Sequence, residues 1–201
     1  MGKSASRAIV LILLGLALAG ADVRRPRGIY AVVILAEHMA AQRSINPSIT
    51  DAQLHTYFTN LYGGLLNNPA ASGLAIEVKW DLLNPVAPGT AQPYDWSWLD
   101  NAFTSAGGWN TAHPAGTPKT IQITMSPGFN SPTWVTDPIP SCDGLFQLPS
   151  QTPPGNCGKA TFLGYAEGGG GVLPLPWNPA YKSAWLGFVT TFARAIRPTR
   201  R

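Results

Sequence analysis

Short, almost continuously apolar runs alternate along this chain with longer stretches whose apolar residues recur at helical spacing. Gly28 to Leu35 (Gly-Ile-Tyr-Ala-Val-Val-Ile-Leu) has the pattern of a strand buried on both faces. It ends in Ala36-Glu37-His38-Met39, and a loop is predicted from there through Asn46-Pro47-Ser48. Thr50 or Asp51 then caps a helix with Leu54, Tyr57, Phe58, Leu61, Tyr62 and Leu65 on one face, ended by Asn67-Asn68-Pro69. Leu74 to Trp80, opened by Gly73, reads as a second strand, with Trp80, Asp81 and Asn84 at its carboxyl end. Asp95 is placed to cap the next helix, where Trp96, Leu99 and Phe103 keep the +3 and +4 spacing; that helix finishes near Gly107-Gly108. Lys119 to Met125 is the third strand, and its end carries Ser126, Phe129, Asn130 and Trp134. Pro127 to Trp177 shows no clear period and is heavy in Pro and Gly, which in a loop of that length points to function or disorder. Asn178 and Pro179 supply the N-cap and first residue of a last helix. Its apolar face is Tyr181, Trp185, Phe188, Val189, Phe192 and Ile196, and Pro198 stops it.

Three strands, each followed by a returning helix, predict an α/β fold with a parallel sheet. With long loops at the strand carboxyl ends, they look like the first three units of a (β/α)8 barrel. A full barrel takes roughly 250 residues. The expectation is therefore an incomplete (β/α)8 TIM barrel of about three amino-terminal βα units, cut before the fourth strand. A small complete enzyme built on these three strands would need an open parallel sheet with free edges and incomplete cover, which disfavours it.

Composition refines this picture in two places. The formal net charge of +4 over 201 residues is carried by the chain ends. Between Gly28 and Ala193 there are five basic residues (Arg43, Lys79, Lys119, Lys159, Lys182) against nine acidic ones. A nucleic-acid surface needs cations clustered on the fold itself, so no nucleic-acid partner is expected. Residues 1–21 read as a secretory signal peptide: Lys3 and Arg7 precede an apolar run from Ala8 to Ala21, and Ala19-Gly20-Ala21 fits small-x-small cleavage. The alternative is an uncleaved anchor, favoured by Arg24, Arg25 and Arg27. Residues 22–27 are then a basic linker, 28–196 the folded domain and 197–201 a basic tail. The protein is expected to be secreted or periplasmic, touching the membrane only transiently through the signal segment.

Candidate chemistry is sparse. In an exported protein Cys142 and Cys157 form a disulfide; otherwise they are two free thiols. Neither a metal site nor any other cofactor is expected, since no second Cys pair or nearby His accompanies them. Gly168 to Gly171 lacks the Lys-Ser/Thr of a phosphate loop and reads as a linker. His38, His55 and His113 are isolated and support neither a triad nor a zinc site.

Three runs carry a family resemblance. They are Val78 to Trp96 (strand, Trp, Leu-Asn-Pro, Tyr-Asp-Trp), Met125-Ser126-Pro127-Gly128, and Leu175-Pro176-Trp177-Asn178-Pro179-Ala180-Tyr181 leading into Trp185 and Phe188. In this order they resemble the amino-terminal part of exported retaining glycoside hydrolases of the (β/α)8 superfamily, the β-galactosidase and cellulase-like clan. The resemblance covers roughly residues 28–196. It implies a carbohydrate partner, an oligo- or polysaccharide, and chemistry at O-glycosidic bonds. That family sets its acid/base Glu after the fourth strand and its nucleophile Glu after the seventh. Neither region occurs in this sequence, where the basic tail Arg194 to Arg201 stands in place of the approach to strand four. The resemblance thus puts both catalytic Glu residues beyond Arg201. No catalytic residue is carried over, and the expectation is a truncated homologue inactive alone. The alternative is a non-catalytic carbohydrate-binding or cell-envelope interaction protein.

Substrate contacts are expected at the strand ends: Glu37, Trp80, Asp81, Asn84, Ser126, Trp134 and Trp177. Trp80, Trp134 and Trp177 either offer platforms to the apolar faces of sugar rings or simply pack. Trp96, Trp98 and Trp185 lie on helices and read as core. Retaining chemistry needs two carboxylates roughly 5–5.5 Å apart, and Glu37, Glu77, Asp81 and Glu167 are the acids available. Glu37 and Asp81 contact substrate or cap loops. Glu77 reads more simply as half of a buried or layered ion pair with Lys79.

Overall fold

The computed structural model describes residues 28–143, 157–162 and 171–196. Residues 1–27, expected to be a signal segment and basic linker, lie outside the described residues, as do Glu167 and Gly168 to Gly170. So does the basic tail, residues 197–201.

Strands β1 (Ile29–Ile34), β2 (Ala71–Lys79) and β3 (Thr120–Ser126) form a parallel sheet in the order β1-β2-β3. Two helices, α1 (Leu35–Ile45) and α2 (Asp51–Leu66), separate the first pair of strands. The single turn α3 (Trp80–Leu83) and the helix α4 (Ser97–Ala112) separate the second pair. After β3 come a 3-10 turn (Gly128–Asn130) and α5 (Thr133–Thr136). An antiparallel hairpin of β4 (Lys159–Phe162) and β5 (Gly171–Pro174) follows, and then α6 (Pro179–Ala195).

The helix starts are set by side chains that satisfy otherwise unpaired amides. Of the two residues able to begin α2, Thr50 does so: its Oγ1 accepts from the Gln53 N–H, and the Gln53 side chain accepts from the Thr50 N–H at 2.9 Å. At α6 the Asn178 Oδ1 accepts from the Tyr181 N–H, with Pro179 as first helical residue. The start of α4 departs from expectation by one position. Trp96 flanks the helix, and Asp95 reaches in from outside to accept the Ser97 N–H at 3.0 Å.

Where the sequence predicts a loop after β1, α1 forms. Leu35 and Met39, four residues apart, bury one side of it, while Glu37 in the first turn and Arg43 in the last complement the helix dipole. Two apolar anchors on an otherwise Ala-rich segment give too faint a period to recognise. The stretch from Pro127 to Trp177 also holds more structure than its lack of period suggests. Its hairpin pairs Lys159 with Pro174 across a segment of chain, a non-local pairing without a sequence period. The Phe129 ring lies 2.7 Å from where a Cβ on Gly171 would stand, so only glycine fits there. Cys142 and Cys157 form the expected disulfide, and Cys142 also donates its N–H to the Lys159 carbonyl, tying the loop to the hairpin.

Register sorts the sheet into two unlike faces. Val33 lies beside Ile76, which lies beside Ile123; Leu74 lies beside Ile121 and Val78 beside Met125. This face joins one core with Leu54, Phe58, Tyr62 and Leu66 of α2 and with Leu99, Ala102 and Ala106 of α4. On the other face Val32 is 65% exposed, Thr124 is exposed, and none of Tyr30, Ile34, Ala75, Glu77, Lys79, Gln122 and Ser126 is buried. The expectation that β1 is buried on both faces is therefore corrected: its run is apolar, but only one side is covered among the described residues. The sheet is open. At Gly73 a Cβ would stand 1.8 Å from the Thr120 carbonyl oxygen of β3, so only glycine fits there.

Candidate functional site

Residues that follow each of the three strands, with Lys79 at the end of β2, line one cleft of about 580 Å³. Its walls come from α1, from the residues that follow β2, and from Ser131 to Thr133 after β3. This is the edge at which open parallel sheets bind ligands. Met39, Leu82 and Pro132 give apolar surface, and Arg43, Lys79, Asp81 and Ser131 give polar groups.

The charges in the cleft are unequally satisfied. Arg43 contacts Asp51 at 3.1 Å in a largely exposed ion pair, which contributes little to stability but steadies the guanidinium. Lys79 is a partly buried residue, and its ammonium has no hydrogen-bond partner among the described residues. Burial pushes the Asp81 carboxyl above its ordinary range, with Lys79 and the Leu82 N–H pulling weakly the other way. The Ser131 hydroxyl is buried and has no partner among the described residues either. Two cations outside the cleft are committed: Lys119 donates to the carbonyls of Asn68 and Ala71, and Lys159 to those of Thr136 and Asp137.

The residues expected to contact substrate divide sharply by location. Asp81 lies in the cleft. Trp80 is fully buried, ringed by Trp134, Tyr181, Trp185 and Phe188, and offers no face to a ligand. Trp134 is partly buried, edge-on to Trp80, and donates its Nε1–H to the Asn84 carbonyl at 3.1 Å. Asn84 is fully buried and donates to the carbonyls of Val86 and Pro93, so it braces the loop between α3 and α4. Ser126 donates to Glu77 Oε1 at 2.9 Å on the uncovered sheet face. That bond stands in place of the expected ion pair with Lys79; the ion pair among the described residues is Arg43–Asp51. The helical aromatics sit in the core or against it, as expected: Trp98 is buried, and Trp96 and Trp185 pack on the cluster.

Glu37 is exposed and borders a second recess of about 430 Å³ with Val32, Ile34, His38 and Ala41. There His38 Nδ1 meets the Tyr57 hydroxyl at 2.8 Å. Glu37 and Asp81 thus line separate hollows. Trp177 stands 72% exposed in the turn between β5 and α6. No group of three His, Cys, Asp or Glu able to hold a metal occurs among the described residues, and no helix there is long and apolar enough to cross a membrane.

Arg43, Lys79 and Ser131 line the cleft but are missing from the set that the sequence suggests. Arg43 would be found were α1 recognised, because its place in the last turn brings it to the cleft wall. Lys79 carries a signal as the last residue of β2. Ser131 carries none. Compared with family models, curated proteins and solved structures, the chain matches nothing.

Proposed function

We propose that residues 28–196 are consecutive βα units of the barrel type found in retaining glycoside hydrolases, and that their carboxyl-end cleft binds carbohydrate. The observation that carries this reading is a parallel sheet, covered on one side only, whose three strands are each followed by residues that line one cleft with apolar walls and several hydrogen-bonding groups. A barrel wall is covered on its outer side in the same way, with its binding loops at the same end. Sugars need both parts of such a lining, apolar surface for their C–H faces and polar groups for their hydroxyls. Retaining hydrolysis would need a second carboxylate roughly 5–5.5 Å from the first. The charged neighbour of Asp81 is Lys79, not an acid, so these residues bind sugar without hydrolysing it alone. The reading includes export, since a disulfide persists in secreted and periplasmic space.

The test is calorimetry of the purified protein against a panel of oligosaccharides, with an aryl-glycoside panel for turnover. Saturable binding that weakens on Asp81→Ala, without enzyme-like hydrolysis, is expected. Failure to bind any sugar overturns the reading; rapid turnover dependent on Asp81 or Glu37 overturns the inactive part of it.

The exposure of Trp177 favours a second reading, a non-catalytic carbohydrate-binding or cell-envelope protein that uses an open aromatic platform. Here retention on insoluble polysaccharide should disappear in Trp177→Ala and survive Asp81→Ala.

A further inference from the structure

We propose that the cleft is selective for acidic carbohydrate, its sugar carboxylate held between Lys79 and Arg43. This deepens the carbohydrate reading and rests on it. Five basic residues lie between Gly28 and Ala193, against nine acidic ones, so the body of the protein should repel anions. Two of the five nevertheless line this one cleft, facing a single acid, Asp81.

The other cations differ in kind. Lys119 and Lys159 are tied to backbone carbonyls, and Lys182 is exposed on α6, away from the cleft. Lys79 alone combines partial burial, a place in the cleft and an ammonium without a hydrogen-bond partner among the described residues. An ammonium that no backbone or side-chain acceptor holds is available to an anion in the cleft, and a charge-assisted hydrogen bond to a carboxylate is stronger than one to a neutral hydroxyl. Arg43 uses one guanidinium nitrogen on Asp51, which leaves further N–H donors of its fork for a carboxylate. The remaining groups suit the sugar that carries this carboxylate. Asp81 and the unpartnered Ser131 hydroxyl can bond ring hydroxyls, and Met39 and Leu82 can meet the apolar ring face.

The probes are trigalacturonate, the matched neutral trigalactose, free galacturonate and inorganic phosphate, each titrated calorimetrically. Trigalacturonate should bind about tenfold or more tighter than the neutral trimer at low salt, and added salt should erode the difference. Lys79→Gln should abolish the preference and Lys79→Arg should retain much of it. Arg43→Gln, at an exposed site that tolerates change, should reduce the preference and keeps the test valid if Lys79→Gln does not fold. Asp81→Asn should leave binding of the acidic trimer intact or stronger, since it removes a like charge and keeps a hydrogen-bonding side chain. Equal binding of the two trimers overturns acid selectivity and leaves the carbohydrate reading standing. Binding of neither overturns both. Phosphate binding as tightly as galacturonate shows a general anion site and overturns the assignment to a sugar.

Discussion

Asn84 is fully buried, and its amide donates to the carbonyls of Val86 at 2.9 Å and Pro93 at 2.7 Å. Its own oxygen lies a long 3.4 Å from the Trp80 Nε1–H. Asn84→Leu leaves those groups without partners, and each orphaned buried group costs about 1–3 kcal/mol. A urea titration should show a large drop in midpoint, whereas a loss confined to sugar binding, with the midpoint unchanged, would return Asn84 to the ligand. Two acids make opposite predictions about pH. Asp143 accepts the Thr161 N–H at 2.7 Å and the Thr161 hydroxyl at 2.6 Å, which holds its carboxyl below the ordinary range. Its contribution is present above the unfolded carboxyl pKa and is lost as pH falls through the lowered folded value. Burial instead raises the Asp81 carboxyl, so its contribution is complete in acid and is lost as pH rises through the raised folded value. Thermal melts across pH should therefore show Asp81→Asn gaining on the parent at neutral pH and not in strong acid. Asp143→Asn should lose at neutral pH and converge with the parent in acid. The sequence places Trp80, Asp81 and Asn84 together at the end of a strand. It does not say which points inward, because the strand end turns into α3 here and that turn carries Trp80 and Asn84 into the core while leaving Asp81 in the cleft.

Element boundaries depend on local chemistry that is largely readable. The capping box at α2 is legible as Thr50 or Asp51, and the structure assigns it to Thr50 with Gln53. Thr50→Ala should cost about 1 kcal/mol, seen as a lower melting temperature, and an unchanged melt would show that tertiary packing alone holds the first turn of α2. The three strands and α6 are legible because each carries a dense apolar run or face. The weakly patterned α1 is not, because Leu35 and Met39 draw their weight from the sheet they cover and not from a local period. The β4–β5 hairpin is hidden for a related reason. It depends on neighbours distant in sequence: the Phe129 ring over Gly171, Asp143 on Thr161, and the Cys142–Cys157 bond. That disulfide spans 15 residues, and closing a loop of this size contributes about 3 kcal/mol in the chain-entropy model. The double variant Cys142→Ala, Cys157→Ala should lose stability of that order in urea, with the loss centred on the hairpin by hydrogen exchange. Protection of the β1-β2-β3 amides should be affected least, since no strand of that sheet is held by the bond.

At the scale of the molecule the open sheet poses the sharpest question. Parallel sheets are ordinarily covered on both faces, yet among the described residues helices cover only the side of Val33, Leu74, Ile76 and Val78. Both outer strands also keep an unpaired edge there. The sequence shows that β1 is apolar throughout; it does not show what stands across from each face, because period reports orientation and not cover. The neighbours Val32 and Val33 separate the two faces within one strand, at 65% and 0% exposure. If the uncovered face is free in the folded protein, Val32→Thr changes stability within about 0.5 kcal/mol, the range for surface substitutions. Val33→Thr, which puts a hydroxyl into the core, should cost about 1–3 kcal/mol. Melts repeated over a wide protein concentration complete the comparison. Equal losses for the two variants would mean that something covers Val32, and a loss at Val32 that grows with protein concentration would identify the cover as another copy of the chain. A neutral Val32 at every concentration leaves the polar layer of Glu77, Ser126 and Gln122 facing solvent. Ligand would then enter the cleft without having to displace a partner.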